Sequence, residues 1–273
     1  MYQTYWQLQS RPFNDTYDPR MYYPGDAHQG ALLKLRYVIE NRRGAAALSG
    51  AAGLGKSLLV QILSRQLPEI YQPRVHLVFP QMSHVELLTY LADELEGTLS
   101  PPTSAGADRG IRRLQHCLSE NTRAGRHCVM VIDESHLLKD MGTLETMRLL
   151  LNFQTDDQPD LTLLLVGQPN LLTALSRTSS LEERIAVKCL LRPFTVEETV
   201  SYISHRLTAA GSAHMIFDQE ALERIHALSF GIPRRINRLC DLALLIGYAE
   251  DRTTISPAHI DAVSEELVAV APE

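Results

Sequence analysis

Between the run AAALS (45–49) and the apolar-rich stretch 58–63, the chain reads Gly50-Ala51-Ala52-Gly53-Leu54-Gly55-Lys56-Ser57. Glycines placed there ask for backbone angles that other residues resist. The spacing Gly-x4-Gly-Lys-Ser is that of a loop curling its N–H groups around a phosphate. Such a loop needs a buried strand before it and a helix after it, whose positive end stands behind the anion. It therefore commits the chain to an α/β architecture. In that geometry Lys56 adds a charge for the β- and γ-phosphates, and the Ser57 hydroxyl holds Mg2+. The candidate nucleotide-binding set is Gly50, Ala51, Ala52, Gly53, Leu54, Gly55, Lys56, Ser57 and Leu58. The plainer alternative is a glycine-rich turn with no ligand, and the strand-loop-helix context speaks against it.

The surrounding pattern agrees. Short apolar runs at 74–79, 127–133, 161–166 and 186–191 read as buried strands, with helical spacing in the stretches between them. Alternation of that kind indicates a parallel sheet covered on both faces. Ser83-x-x-Glu86 is a capping box opening a helix that Gly97 closes. Residues 98–110, TLSPPTSAGADRG, read as a surface loop. Beyond Arg192-Pro193 only helices are expected, near 195–210, 218–228 and 233–249, with a fourth from Ser256-Pro257. The expected division is therefore 1–192 as an α/β core and 193–273 as a small helical domain. Seven of the seventeen aromatic residues lie in the first 23 positions, including Tyr2, Trp6, Phe13 and Tyr17. Burial of rings is strongly favourable, so residues 1–30 are expected to wrap the core.

Four further signals carry chemistry. In CVMVIDESH, an apolar strand delivers Asp133 and Glu134 to the sheet edge where α/β proteins bind ligands. Asp133 would hold Mg2+ through its water shell, and Glu134 would orient and polarise the attacking water. His136 in the same run reads as a surface or hydrogen-bonding residue. Gln168 in LLLVGQP follows a strand and is a candidate to touch the γ-phosphate or the water, with a turn residue before Pro169 as the alternative. Arg184, in LEERI, is a candidate arginine finger for a neighbouring subunit, with Arg177 as its rival. In GIPRRINRL, Arg234 and Arg238 share one helix face, and one of them could fold back onto the γ-phosphate.

A formal charge of −6 and a pI near 5.9 argue against a chain devoted to neutralising nucleic-acid phosphates. Cys117, Cys128, Cys189 and Cys240 are far apart and form no C-x-x-C pair, so free thiols in a reducing cytoplasm are expected. There is no signal-peptide layout, and no apolar run approaches the ~20 residues of a membrane span. Cytoplasmic localisation follows as the expectation.

Taken in order, GAAGLGKS, VMVIDE, LLLVGQP, LEERI and GIPRRINRL resemble AAA+ ATPases of the ExeA/GspA (general secretion pathway protein A) family. The opening LQSRPFNDTYDPRMYY, the LLLNF before the fourth strand and YISHRLTAAG are similar to it as well, so the resemblance spans nearly the whole chain. It implies a P-loop NTPase (AAA+) core with a five-stranded parallel sheet in order 5-1-4-3-2, followed by a small α-helical lid. ATP with Mg2+ would lie between them and be hydrolysed. It also implies a homo-oligomer with the nucleotide at the subunit interface and Arg184 supplied to the neighbour. Gln168 matches sensor 1, Arg234 matches sensor 2, and the region from Tyr22 to Gln29 would lie near the adenine. Longer members of that family continue into a membrane span and a peptidoglycan-binding part. This sequence shows neither, so a free-standing ATPase is expected that drives or regulates assembly of a secretion or pilus-type envelope machine. The alternative is an ATP-dependent DNA-bound regulator related to transposition ATPases, suggested by Arg112-Arg113 and the cluster Arg234, Arg235 and Arg238. A nucleotide-binding subunit without turnover fits poorly with Lys56, Asp133 and Glu134 all present.

Overall fold

The computed structural model describes residues 2–14, 18–97, 107–138 and 140–269. Tyr17 and most of the expected 98–110 loop lie outside the described residues. The chain divides into two compact units. One holds Ala27–Ala52 with Lys56–Leu191; the other holds the residues up to Asp26, Gly53–Gly55 and everything from Arg192 onward.

The first unit is α/β. Its strands are β1 (Ala45–Ser49), β2 (Arg74–Leu77), β3 (Cys128–Ile132), β4 (Gln154–Thr155), β5 (Gln158–Pro159), β6 (Leu161–Gly167) and β7 (Ile185–Leu190). Five of them form one all-parallel sheet in the order β2-β3-β6-β1-β7. With the short β4–β5 ribbon left uncounted, this is the expected 5-1-4-3-2. The ribbon itself was not anticipated. Asp156 and Asp157, at φ 52° and 61°, turn it through a two-residue hairpin loop.

Burial explains the strand composition. Every residue of β1, β3 and β6 is buried, so these strands are continuous apolar runs. The edge strands β2 and β7 alternate between buried and more exposed positions. The helix His84–Glu96 starts as its sequence requires: the Ser83 hydroxyl accepts from the Glu86 N–H at 3.3 Å, and the Glu86 carboxylate accepts from the Ser83 N–H at 2.8 Å. Its Leu87, Leu88 and Leu91 join Leu114, Leu118, Met130 and Leu163 in one core. Because the sheet is parallel, β1, β3 and β6 all end at one edge, with Ser49 opposite Gly167 and Ile132 opposite Leu165. That edge receives the glycine-rich loop, Asp133 and Gln168.

Just before β3, His127 is buried, with Nε2 2.8 Å from the Thr162 hydroxyl. Burial, helped by the positive charge of Arg42, pushes its pKa down from 6.5 to about 4. The fold thus favours the neutral ring. Its contribution to stability is complete above pH 6.5 and is lost as the pH falls toward 4, because the unfolded chain takes up the proton first. Between those limits, wild type is expected to lose about 3 kcal/mol more unfolding free energy than His127→Gln. Urea titrations across that range check this; parallel curves would show that His127 is not held neutral.

The second unit is helical, built from Val196–Ala209, Gln219–Ser229, Pro233–Ala249 and Pro257–Ala269. Thr195 and Glu198 form the expected capping box at the first of these. The N-terminal segment groups with this unit rather than wrapping the α/β core, which corrects the sequence reading. Its rings find their partners among the helices. Tyr2, Trp6 and Phe13 are buried with Phe217, Ile236 and Leu244, and the Trp6 indole donates to Leu244 O at 2.9 Å. The buried Arg206 reinforces this, donating to Asn14 O at 2.7 Å and also to Pro12 O. Tyr2 Oη donates to Asp241. Cys117, Cys128, Cys189 and Cys240 are all free thiols. Among the described residues, no helix is long and apolar enough to cross a membrane.

Candidate functional site

The loop after β1 is fastened at its start, where the Gly50 N–H donates to Gly167 O at 3.2 Å. Gly53 and Gly55 take φ of 82° and 88°, angles that give the loop its curl and that a side chain would strain. Leu54 anchors the turn by being buried, while Ala51 and Leu58 are half-buried and Ala52 is exposed. Lys56 opens the helix Lys56–Gln66 and is 7% exposed. Its ammonium turns back into the loop and donates to Gly50 O at 2.9 Å and Ala51 O at 3.1 Å.

The neighbouring Ser57 faces the end of β3. Its hydroxyl donates to Asp133 Oδ2 at 2.6 Å, and the Glu134 N–H donates to Asp133 Oδ1 at 2.8 Å. His76 Nε2 stands 3.7 Å from the same Oδ2. Burial pushes the Asp133 carboxyl up, but the nearby His76 and the hydrogen bonds from Ser57 and the Glu134 N–H outweigh it and leave the pKa below the ordinary carboxylate value. Asp133 is therefore held as an ionised carboxylate against a hydroxyl. Glu134 has φ 51° and heads the 3-10 turn Ser135–Leu137, with its side chain 42% exposed. His136 lies between Glu134 and Gln168: Nδ1 is 3.1 Å from Glu134 Oε2, and Nε2 is 3.0 Å from the Gln168 amide nitrogen.

The remaining candidates stand elsewhere. Arg184 is exposed ahead of β7 and donates to Asn152 Oδ1 at 2.9 Å; Arg177 is exposed at the end of the helix Asn170–Ser176. Within the helical unit, the Arg234 N–H donates to Gly53 O at 3.3 Å, so the first turn of Pro233–Ala249 touches a residue of the glycine-rich loop. Arg234 and Arg238 line a cleft of about 550 Å3 with Arg11. The sequence reading missed His76, whose only signal is a polar residue on a strand leading to the loaded edge. His136 is the hydrogen-bonding residue its position suggested.

These groups fit a magnesium-bound triphosphate. A buried ammonium beside a curled loop suits phosphate oxygens, and a hydroxyl with an ionised carboxylate is a hard oxygen pair. Among the described residues no group of three or more His, Cys, Asp or Glu could hold a metal ion by itself. A cation here would complete its shell with phosphate oxygens and water, which is how Mg2+ is bound.

The family is decided by a match to the AAA domain model over residues 39–175, half of the chain. The chain belongs to the AAA family. It is 32% identical over its full length to general secretion pathway protein A of Aeromonas hydrophila, and spans half of that relative. Within the AAA family it is thus GspA-like. Solved structures share the fold. The Aeropyrum pernix ORC2 protein superposes with a TM-score of 0.74 at 17% identity, covering 97% of this chain and 73% of that one. Cdc6p of Pyrobaculum aerophilum gives 0.74 at 16%, covering 96% and 74%. The RuvB branch migration motor of Thermotoga maritima gives 0.59 at 21%, covering 88% and 69%. The fold is that of an AAA+ P-loop NTPase, with a five-stranded parallel core and a helical C-terminal region.

Proposed function

We propose that the protein is an ATP hydrolase whose cycle drives or regulates assembly of a secretion or pilus-type envelope machine. The observation that carries the hydrolase reading is the 2.6 Å contact between Ser57 and the ionised Asp133, beside the buried Lys56 and directly followed by Glu134. In this reading the loop Gly50–Ser57 and Leu58 cradle the phosphates, and Lys56 pairs with the β- and γ-oxygens. Ser57 and Asp133 hold Mg2+, which supplies charge neutralisation on the phosphates when bound. Glu134 polarises the attacking water. Gln168 reports on the γ-phosphate as sensor 1, and Arg234 acts as sensor 2. Arg184, or Arg177, completes a neighbouring subunit's site in a homo-oligomer, and the protein works in the cytoplasm.

The envelope client is inferred from the likeness to general secretion pathway protein A. The rival reading, a DNA-bound regulator, loses part of its basis. Arg113 is committed to Asp93 at 2.7 Å and Glu96 at 2.5 Å, whereas Arg112 stays open to solvent beside an exposed Asp108 at 3.3 Å. Affinity capture with Glu134→Gln in Mg-ATP separates the two. A purified secretion or pilus assembly component retained only with ATP is expected. Retention of DNA instead, weakening steeply with salt, would replace the first reading by the second.

A further inference from the structure

His136 is the polar group at this edge to which no role has been given, and the structure places it with care. It lies on the 3-10 turn Ser135–Leu137 that follows Glu134, and its side chain is only 9% exposed. The turn is clamped: the Ser135 hydroxyl donates back to Ile132 O at 2.6 Å, and the Leu137 N–H to Glu134 O at 2.9 Å. It also presses on the end of β6. A Cβ added at Gly167 would sit 3.0 Å from the His136 backbone nitrogen and 3.4 Å from its Cβ. Any side chain at Gly167 would push the turn away, so the close approach of His136 to the next residue, Gln168, depends on that glycine.

The ring bridges two groups of different chemistry. A carboxylate only accepts, so the tautomer with its proton on Nδ1 is the one that suits Glu134. Nε2 of the neutral ring is then an acceptor, and the atom facing it is the Gln168 amide nitrogen at 3.0 Å, a donor. One tautomer is compatible with both neighbours. The two contacts are not equally tight. The Gln168 contact is a hydrogen bond, whereas Nδ1, 3.1 Å from Glu134 Oε2, falls short of hydrogen-bond alignment. Glu134 is thus oriented by the ring without being locked to it, and its half-exposed carboxylate keeps a second destination.

We propose that His136 is a positioning residue for hydrolysis, which orients the Glu134 carboxylate and transmits to it the position of Gln168. This rests on the hydrolase reading and adds to it the element that links the sensor residue to the water-polarising one. A γ-phosphate that fixed Gln168 would steady the ring, and the ring would steady the Glu134 carboxylate toward the water.

Full-length variants test this by steady-state ATP turnover and by titration with a fluorescent ATP analogue. His136→Ala is expected to lower kcat on the order of tenfold to a hundredfold, with nucleotide affinity unchanged within about twofold. Gln168→Ala should behave alike, and the double variant should lose no more than the worse single, because the link is already cut. His136→Asn keeps a donor near Glu134 but cannot reach Gln168. It should fall to the rate of Gln168→Ala and be indifferent to adding that change, and this pair carries the test if His136→Ala does not fold. Three results would each overturn the coupling: wild-type kcat in His136→Ala, losses that multiply in the double variant, or a full Gln168→Ala effect in the His136→Asn background. Glu134→Gln is the control. If it is inert while His136→Ala is unimpaired, the coupling alone falls; if it turns over ATP like wild type, the hydrolase reading falls and the coupling with it.

Discussion

Glu134→Gln is expected to cut ATP turnover by at least about a hundredfold while changing nucleotide affinity by less than about threefold. The amide matches the carboxylate in shape, so the turn after β3 has no reason to move. The Glu134 N–H that supports Asp133 is backbone and survives the change, as does the 2.6 Å contact between Ser57 and Asp133. The binding groups are therefore intact. What is lost is the negative charge that polarises a water, and an amide offers no comparable basicity. Phosphate release and calorimetric titration with Mg-ATP separate the two effects. Equal phosphate release from variant and wild type would mean that Glu134 is not the group that activates water.

Much of this site was legible because its parts obey local rules. The strand before the loop, the loop and the helix after it form one continuous stretch, so a spacing of glycines with Lys56 and Ser57 carries its own context. Asp133 and Glu134 were legible for a related reason: the apolar run CVMVI must be a buried strand, and residues just past such a strand emerge at the ligand-binding edge. Helix starts were readable wherever the cap is a side chain, as at Ser83 and Thr195.

What stayed hidden depends on contacts across long stretches of sequence. His136 meets Gln168 only because β3 and β6 are neighbours in the sheet, and no local pattern states which strands pair. The aromatic N-terminus shows the same limit. Its rings announce burial, but not the surface that buries them. Composition pointed equally to either part of the chain, and the deciding contacts, such as Trp6 with Leu244, connect residues far apart in sequence. The basic pair Arg112-Arg113 shows it too, since Asp93 and Glu96, which engage Arg113, lie on a different helix.

Lys56→Ala is expected to weaken Mg-ATP binding on the order of a hundredfold, about 3 kcal/mol, the scale of a desolvated charge-assisted contact to phosphate. Lys56 is 7% exposed, and its ammonium rests on the carbonyls of Gly50 and Ala51, a position suited to meeting an incoming anion. Burying a cation on carbonyl dipoles recovers only part of its lost hydration. Removing it should therefore leave the melting temperature without nucleotide unchanged or raised. The response to ligand should change instead. Wild type at a hundred times Kd gains about 2.7 kcal/mol of stability, and the variant at the same concentration should gain well under 1 kcal/mol. Lys56→Arg is expected to fail as well, because a planar fork cannot replace a compact ammonium in so tight a turn. Thermal melts with and without Mg-ATP check all three statements. An undiminished shift in Lys56→Ala would show that the loop's lysine does not meet the phosphates, and the ligand assigned to the curled loop would have to be abandoned.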